Sequence, residues 1–269
     1  MEAQATPNPN PAPLVLSESS GGVVRLTLNR GERFNALSSE MIAALQRAVD
    51  GVAADPEARV VVLAAAGKGF CAGHDLKEMR AHSSDPAWQA RLFEDCNRLM
   101  IALTRLAQPV IARVHGIATA AGCQLVSMCD LAVAADTATF ALPGVNIGVF
   151  CTTPAVGVGR NVARKRVMEM LLTGKPIDAA TALAWGLVNR VVPAERLDET
   201  VRELVDAILA KSPAVIRNGK RAFYDQLDRP LADAYDFAGR AMTQGVLLED
   251  AAEGMDAFLQ KRPPSWRGR

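Results

Sequence analysis

Long apolar runs, histidines, a surplus of either charge and paired cysteines are missing or scarce in this sequence, and each shortage removes a class of function. The longest apolar stretches, residues 60–66 and 131–135, fall well short of the roughly 20 residues that a membrane-spanning helix needs. Thirty Lys and Arg stand against 29 Asp and Glu, a formal charge of +1, so no general pull toward nucleic acid or an anionic membrane is expected. Only three histidines are present, His74, His82 and His115, and no G-x-S-x-G elbow, which leaves no basis for Ser-His-Asp catalysis. His82, in line with Ser83, Ser84 and Asp85, reads as part of a solvated loop. The five cysteines (Cys71, Cys96, Cys123, Cys129, Cys151) are odd in number and sparse, which argues against a disulfide scaffold and for a reducing compartment. Cys71 and His74 form a C-x-x-H pair, but no second pair accompanies it at ligand spacing, so no metal is expected. Gly67-Lys68-Gly69 lacks the Lys-Ser/Thr of a phosphate loop and Gly157-Val158-Gly159 lacks a third glycine, so both read as turns. Residues 1–13, rich in Pro, Asn and Ala, have neither a charged start before an apolar run nor the Arg content of a transit peptide. A disordered tail and a cytoplasmic protein are the expectation.

What is present is the composition of a globular protein, 49% apolar and 22% charged over 269 residues, enough for one main domain and an appendage. Val24, Leu26 and Leu28 alternate with Arg25 and Thr27, the period of a strand with one buried face. A helix is predicted over 39–53, with Met41, Leu45, Ala48, Val49 and Val52 on one stripe. Residues 60–65 form an uninterrupted apolar run, as expected of a strand covered on both faces, and similar runs recur at 109–114, 131–135 and 187–192. Strands alternating with helices imply a largely parallel, layered α/β core over 14–195. From 196 to 269 the texture is helical only, with amphipathic segments at 195–210, 212–227, 231–245 and 249–260. Such an appendage either covers the core or packs on another subunit, and an oligomer is expected.

Two segments of small residues stand out: Phe70-Cys71-Ala72-Gly73-His74-Asp75-Leu76, and the run from Val114 through Gly116, Ala118, Ala120, Ala121 and Gly122 to Leu125. Small side chains admit a ligand to the backbone, and a helix N-terminus offers unpaired N–H groups with a favourable partial charge. Two such turns brought together make an oxyanion hole, and taken singly they make tight strand-to-helix turns.

The same two segments resemble the crotonase (enoyl-CoA hydratase/isomerase) superfamily, and others fall into step with them. Phe34-Asn35-Ala36-Leu37 resembles that family's N-A-L segment, 70–76 its A-G-x-D-L turn, and 114–130 its V-x-G-x-A-x-G-G-G-x-x-L-x-x-x-C-D stretch. Leu171-Leu172-Thr173-Gly174 through Gly186-Leu187-Val188 to Val192-Pro193, and Phe258-Leu259-Gln260-Lys261-Arg262, resemble its later signatures. Within the family, Gly73-His74-Asp75-Leu76-Lys77-Glu78 and Pro143-Gly144-Val145-Asn146-Ile147-Gly148 are similar to the branch of enoyl-CoA hydratase domain-containing protein 3. The resemblance implies a ClpP-like spiral of β-β-α units with a C-terminal helical trimerisation region, forming a homotrimer or a dimer of trimers. It implies a lyase-like protein acting on an acyl-CoA substrate, with no separate cofactor because coenzyme A arrives as part of the substrate, and with neither nucleic acid nor membrane as partner. By the same resemblance the N–H groups of His74 and Ala121 form the oxyanion hole. The backbone of His74, Asp75, Leu76 and Lys77, with Ala36 and Ala72, lies along the pantetheine and adenine. Arg30 and Arg33 are candidates for the CoA phosphates, a solvated loop being their other place, and Phe258 and Lys261 reach a neighbouring subunit's CoA.

The chain departs from the family where chemistry would be done. Motif matching puts the two water-activating glutamates of the hydratases at Gln124 and Gly144, neither of them a carboxylate. An amide orients a water but does not take its proton near neutral pH, and glycine has no side chain. Candidates for a substitute base or nucleophile are His74, Asp75, Asn146, Cys151 and Thr152. Asp75 also suits anchoring its own turn, Cys151 suits a small buried hydrophobe, and Asp130 suits a cap. Two readings compete: an enzyme of this class with altered or weakened proton transfer, and a non-catalytic acyl-CoA binding protein.

Overall fold

The computed structural model describes residues 12–269, so all but the last two residues of the expected N-terminal tail lie outside the described residues. A six-stranded sheet is ordered β1 (Val15–Ser20), β2 (Val23–Leu28), β3 (Val60–Ala65), β4 (Val110–Val114), β6 (Leu131–Ala135), β9 (Arg190–Val192). The β1–β2 hairpin is antiparallel and every other pair in that sheet is parallel. A second sheet joins β5 (Ala118–Thr119), β7 (Thr139–Ala141) and β8 (Ile177–Asp178). The first seven helices are α1 (Ser39–Ala54), α2 (Leu76–Ala81), α3 (Pro86–Arg105), α4 (Ala121–Ser127), α5 (Thr152–Asn161), α6 (Arg164–Thr173) and α7 (Ala179–Ala184). Four more close the chain, α8 (Leu197–Leu209), α9 (Pro213–Gln226), α10 (Leu231–Val246) and α11 (Glu249–Leu259).

The uninterrupted apolar run of β3 is explained by its two neighbours. Val61, Leu63 and Ala65 point into the main core with α1 and α3, whereas Val60 and Val62, with Ile111 and Val133, pack under Leu197, Val201 and Val205 of α8. The first helix of the C-terminal region therefore covers the outer face of the sheet. Its first turn is held by Asp198, which accepts from Arg113 at 2.8 and 2.7 Å and from Arg25 at 3.0 Å. Hydrogen bonds from Arg113, with those of Arg25, hold that carboxyl down at about 2, against a smaller opposing effect of burial. On the inner face α1 starts where the Ser38 hydroxyl accepts the Met41 N–H, and it buries Met41, Ile42, Leu45, Val49 and Val52 at helical spacing.

The connections repeat a unit. β4, β5 and α4 follow one another, then β6, β7 and α5: a strand in the large sheet, a short strand in the small one, then a helix. After β3 the same path is taken in reduced form, with a single bridge from Cys71 to Ala118 replacing the second strand before α2.

The structure differs from expectation in three places. Of residues 187–192 only Arg190–Val192 is strand, because the turn after α7 uses Gly186 at φ 84° to bury Leu187 and Val188 as packing residues. The small sheet carries no periodic signal, since strands of two or three residues are too short to alternate. His82 is not free in a loop but closes α2 and stacks on Trp88 with ring centroids 4.2 Å apart.

Candidate active site

The two small-residue turns meet. Thr119 donates its N–H to the Cys71 carbonyl at 2.9 Å and its hydroxyl to the Ala72 carbonyl at 3.0 Å, lacing one turn to the other. Gly73, at φ 87°, has no room for a side chain: a Cβ there would stand 2.9 Å from the Ala120 Cβ and 3.2 Å from the Ala121 nitrogen. His74 bridges Leu37 through its neighbours' groups, the Gly73 carbonyl and the Asp75 N–H, so its own N–H faces the opposite side. Ala121 opens α4 and has no carbonyl one turn back to receive its N–H. Two backbone donors, neither of them paired among the described residues, thus lie in adjoining segments that the fold holds in contact.

The residues expected along a CoA chain fall into two groups. Arg30, Arg33 and Ala36 lie on a loop laced to the Ala72–Lys77 turn by Ala72 N–H to Phe34 O at 3.0 Å and Leu37 N–H to Gly73 O at 2.7 Å. Arg33 is half exposed, 4.0 Å from the Asp75 carboxylate, while Arg30 is more buried, its guanidinium 3.5 Å from the Ser38 hydroxyl. Asp75 caps α2, accepting from the N–H groups of Lys77 and Glu78 at 3.0 and 3.3 Å; Leu76 and Lys77 are exposed on the first turn. Phe258 and Lys261 are elsewhere, exposed at the end of α11, a helix packed on α9 and α10.

Neither of the two positions matched to the family's glutamates carries an ionisable side chain. Gln124 is buried in α4, and its Oε1 has no partner among the described residues. Gly144 donates its N–H to the Cys151 sulfur at 3.3 Å, and a Cβ there would overlap the Val149 carbonyl oxygen and sit 2.9 Å from that sulfur. Of the candidate substitutes, burial of the Cys151 thiol raises it above the usual thiol range, with the Gly144 N–H opposing more weakly. Asn146 bonds the Gly174 carbonyl at 3.5 Å and Thr152 the Phe150 carbonyl at 3.2 Å. Burial lowers the His74 imidazole to about 4 despite nearby Glu78; its Nε2 has no partner among the described residues and its ring stands edge-on to Phe93 at 5.3 Å. The Cys71 thiol, pushed up to about 12 by burial, donates to the Asn35 carbonyl at 3.3 Å. Among the described residues no three His, Cys, Asp or Glu side chains gather as a metal site requires.

A strand-turn-helix spiral with two backbone donors at adjoining turns, closed by a helical C-terminal region, defines a crotonase-fold protein. The chain belongs to the enoyl-CoA hydratase/isomerase family, whose sequence profile matches residues 18–269. Among its relatives is the mitochondrial enoyl-CoA hydratase domain-containing protein 3 of Xenopus laevis, 44% identical over 254 residues, 94% of this chain and 86% of that one. Among solved structures, an enoyl-CoA hydratase of Mycobacterium smegmatis superposes with a TM-score of 0.93 at 52% identity, covering 94% of this chain and 99% of that one. Human enoyl-CoA hydratase domain-containing protein 3 superposes with a TM-score of 0.91 at 40% identity, covering 94% and 100%. The cytoplasmic expectation is overturned by the names of the frog relative and of its fish, rodent and human counterparts, all given as mitochondrial. That expectation rested on what a short N-terminal segment lacked, and a missing composition signal is weak ground for a compartment.

Proposed function

We propose that the chain binds an acyl-CoA thioester with its carbonyl oxygen between the N–H groups of His74 and Ala121, stabilising an enolate or tetrahedral oxyanion there without the water activation of a two-glutamate hydratase. The observation that carries this reading is the conjunction of two unpaired backbone donors in adjoining turns with an amide at 124 and a closed glycine at 144. Backbone donors keep their chemistry whatever the side chain, and each oxyanion-hole donor is typically worth about 10²–10³ in kcat. Water addition also needs a group to take the proton, and the loss of one such group costs about 10²–10⁴-fold.

Four of the five candidate substitutes are already engaged or held protonated. Asp75 is engaged as a cap, Asn146 and Thr152 bond backbone carbonyls, and burial keeps Cys151 a thiol, which leaves the His74 imidazole, neutral and without a partner for Nε2 among the described residues, as the one substitute acceptor not already engaged. The same engagement favours the second reading, a protein that binds or senses acyl-CoA without turnover. Coenzyme A enters as part of the substrate, no separate cofactor is called for, and neither nucleic acid nor membrane is a partner. Leu231, Tyr235, Met242 and Leu247 on and just after α10, with Phe258 and Leu259 on α11, are more than two-thirds exposed in the single chain, which supports a homotrimer or dimer of trimers. In that assembly Phe258 and Lys261 reach a neighbouring subunit's CoA.

The test is the loss of enoyl-thioester absorbance with crotonyl-CoA. The native chain is expected to fall at least about 10²-fold below ordinary turnover of roughly 1–10³ per second. Gln124→Glu restores a proton acceptor at a buried position and is expected to raise the rate by about 10-fold or more. Gly144→Glu is expected to add nothing and to lower thermal stability, because its Cβ meets backbone at Val149. Native turnover in the ordinary range sinks the lost-base reading. Tight thioester binding with no turnover in either form on any thioester establishes the sensing one.

A further inference from the structure

Phe34 and Asn35 hold consecutive left-handed conformations, φ 51° and 53°, which a residue with a Cβ avoids and asparagine tolerates best. Asn35 is wholly buried, and each of its polar atoms is engaged. Its N–H donates to the Arg30 carbonyl at 3.0 Å, and its own carbonyl accepts the Cys71 thiol at 3.3 Å. Its Oδ1 accepts the Arg30 N–H at 2.9 Å, and its Nδ2 donates to the carbonyls of Ala66 and Gly69 at 2.8 and 2.9 Å. The side chain therefore ties the 30–37 loop to the turn that leads into Cys71. Two residues further on, Leu37 donates to the Gly73 carbonyl at 2.7 Å and accepts from the Asp75 N–H at 3.3 Å, clasping His74 from the side opposite its unpaired N–H.

We propose that Asn35 is the positioning residue of the oxyanion hole: through the 30–37 loop it sets where the His74 N–H stands relative to that of Ala121. No other residue type meets both demands of the position. Aspartate has no donor for the two carbonyls, glutamine is one methylene too long, and glycine adopts the backbone but bonds nothing. The assignment rests on the thioester reading above and goes beyond it by naming what orients one of the two donors. A reacting group misplaced by about 1 Å loses on the order of 10²-fold in rate, so a loop that only had to be folded would leave a different signature from one that aims a donor.

The experiment uses the full chain and two probes: CoA itself, which has no thioester carbonyl, and dimethylaminocinnamoyl-CoA, whose absorbance moves to longer wavelength when its carbonyl is polarised. Asn35→Gly keeps the left-handed backbone and deletes the side-chain bonds; Asn35→Ser is the milder second variant. Both are expected to bind CoA within about 3-fold of the native chain while the bound chromophore's shift falls by about half or more, and any turnover of crotonyl-CoA drops about 10²-fold in kcat at unchanged KM. An undiminished shift in a folded variant overturns the proposal. So does parallel loss of CoA affinity and shift, or failure of both variants to fold, since each assigns Asn35 to the stability of the region. A native chain that binds CoA but leaves the chromophore unshifted removes the oxyanion hole itself, and the proposal with it.

Discussion

On the proposed thioester reading, Gly122→Ala is expected to remove most of the polarisation of a bound thioester. Gly122 is the second residue of α4, and a Cβ there would overlap the Cys71 carbonyl oxygen while standing 2.8 Å from the Cys71 carbonyl carbon and Cβ. The obstacle is backbone, so no rotamer relieves it; α4 must back away from the turn that carries His74. That carbonyl also accepts the Thr119 N–H at 2.9 Å, so the lacing between the two turns is strained by the same displacement. Overpacking of this kind costs about 1–3 kcal/mol or more where backbone must move. The greater effect falls on function: the Ala121 N–H is carried away from the His74 N–H, and losing one oxyanion donor costs about 10²–10³-fold. The measurement is the chromophoric thioester's shift beside a thermal melt. The control is Gly219→Ala, an exposed position within α9 with nothing within 4 Å of the added methyl, where a gain of roughly 0.5–1 kcal/mol from helix propensity is expected. If Gly122→Ala retains the full shift, the two turns do not have to touch for the site to work.

Much of the fold is legible in the sequence because burial writes itself as periodicity. The run at 60–65 is a strand, and it is apolar throughout for the reason anticipated, a cover on each face. The amphipathic segments at 212–227 and 231–245 appear as α9 and α10 with ends shifted by a residue or so. What stays hidden is whatever depends on a single contact between distant segments. Thr119 reads as one more small residue in a small-residue run, yet its hydroxyl crosses to Ala72. Asn35 reads as a member of a motif, and the demand for a buried carboxamide in a left-handed turn becomes visible only with Ala66 and Gly69 beside it. Gly144 shows the same limit: the sequence reveals a missing carboxylate, and the structure adds that the Val149 carbonyl and the Cys151 sulfur fill the space a side chain would take. Compartment is not written in periodicity at all, and there the reading failed.

Asp130→Ala is expected to loosen the helical region from the core by about 3–5 kcal/mol, the usual effect of stranding one partner of a buried ion pair. Asp130 does more than cap. Its Oδ2 accepts from Lys220 at 2.6 Å and from the Val110 N–H at 2.7 Å, and its Oδ1 accepts from the Tyr224 hydroxyl at 2.9 Å. The Lys220 ammonium spends its other two protons on the carbonyls of Leu103 and Gln108, at 3.1 and 2.9 Å. One carboxylate thus joins the end of α3, the start of β4, the α4–β6 connection and α9. Burial draws the Lys220 ammonium below the ordinary lysine range, with Asp130 pulling the other way. Removing the carboxylate leaves that ammonium, only 7% exposed, without a counter-charge. Lys220→Met alone is expected to cost a similar amount by leaving Asp130 unneutralised. The double variant Asp130→Leu/Lys220→Met is expected to regain only part of the loss, because Tyr224, Val110, Leu103 and Gln108 still need partners. Urea melts of the four proteins decide the matter, with the single losses summing to well more than the double. Additive losses, or a single loss below about 1 kcal/mol, would show that this cluster is screened like a surface pair and that α9 is held to the core by its apolar contacts instead.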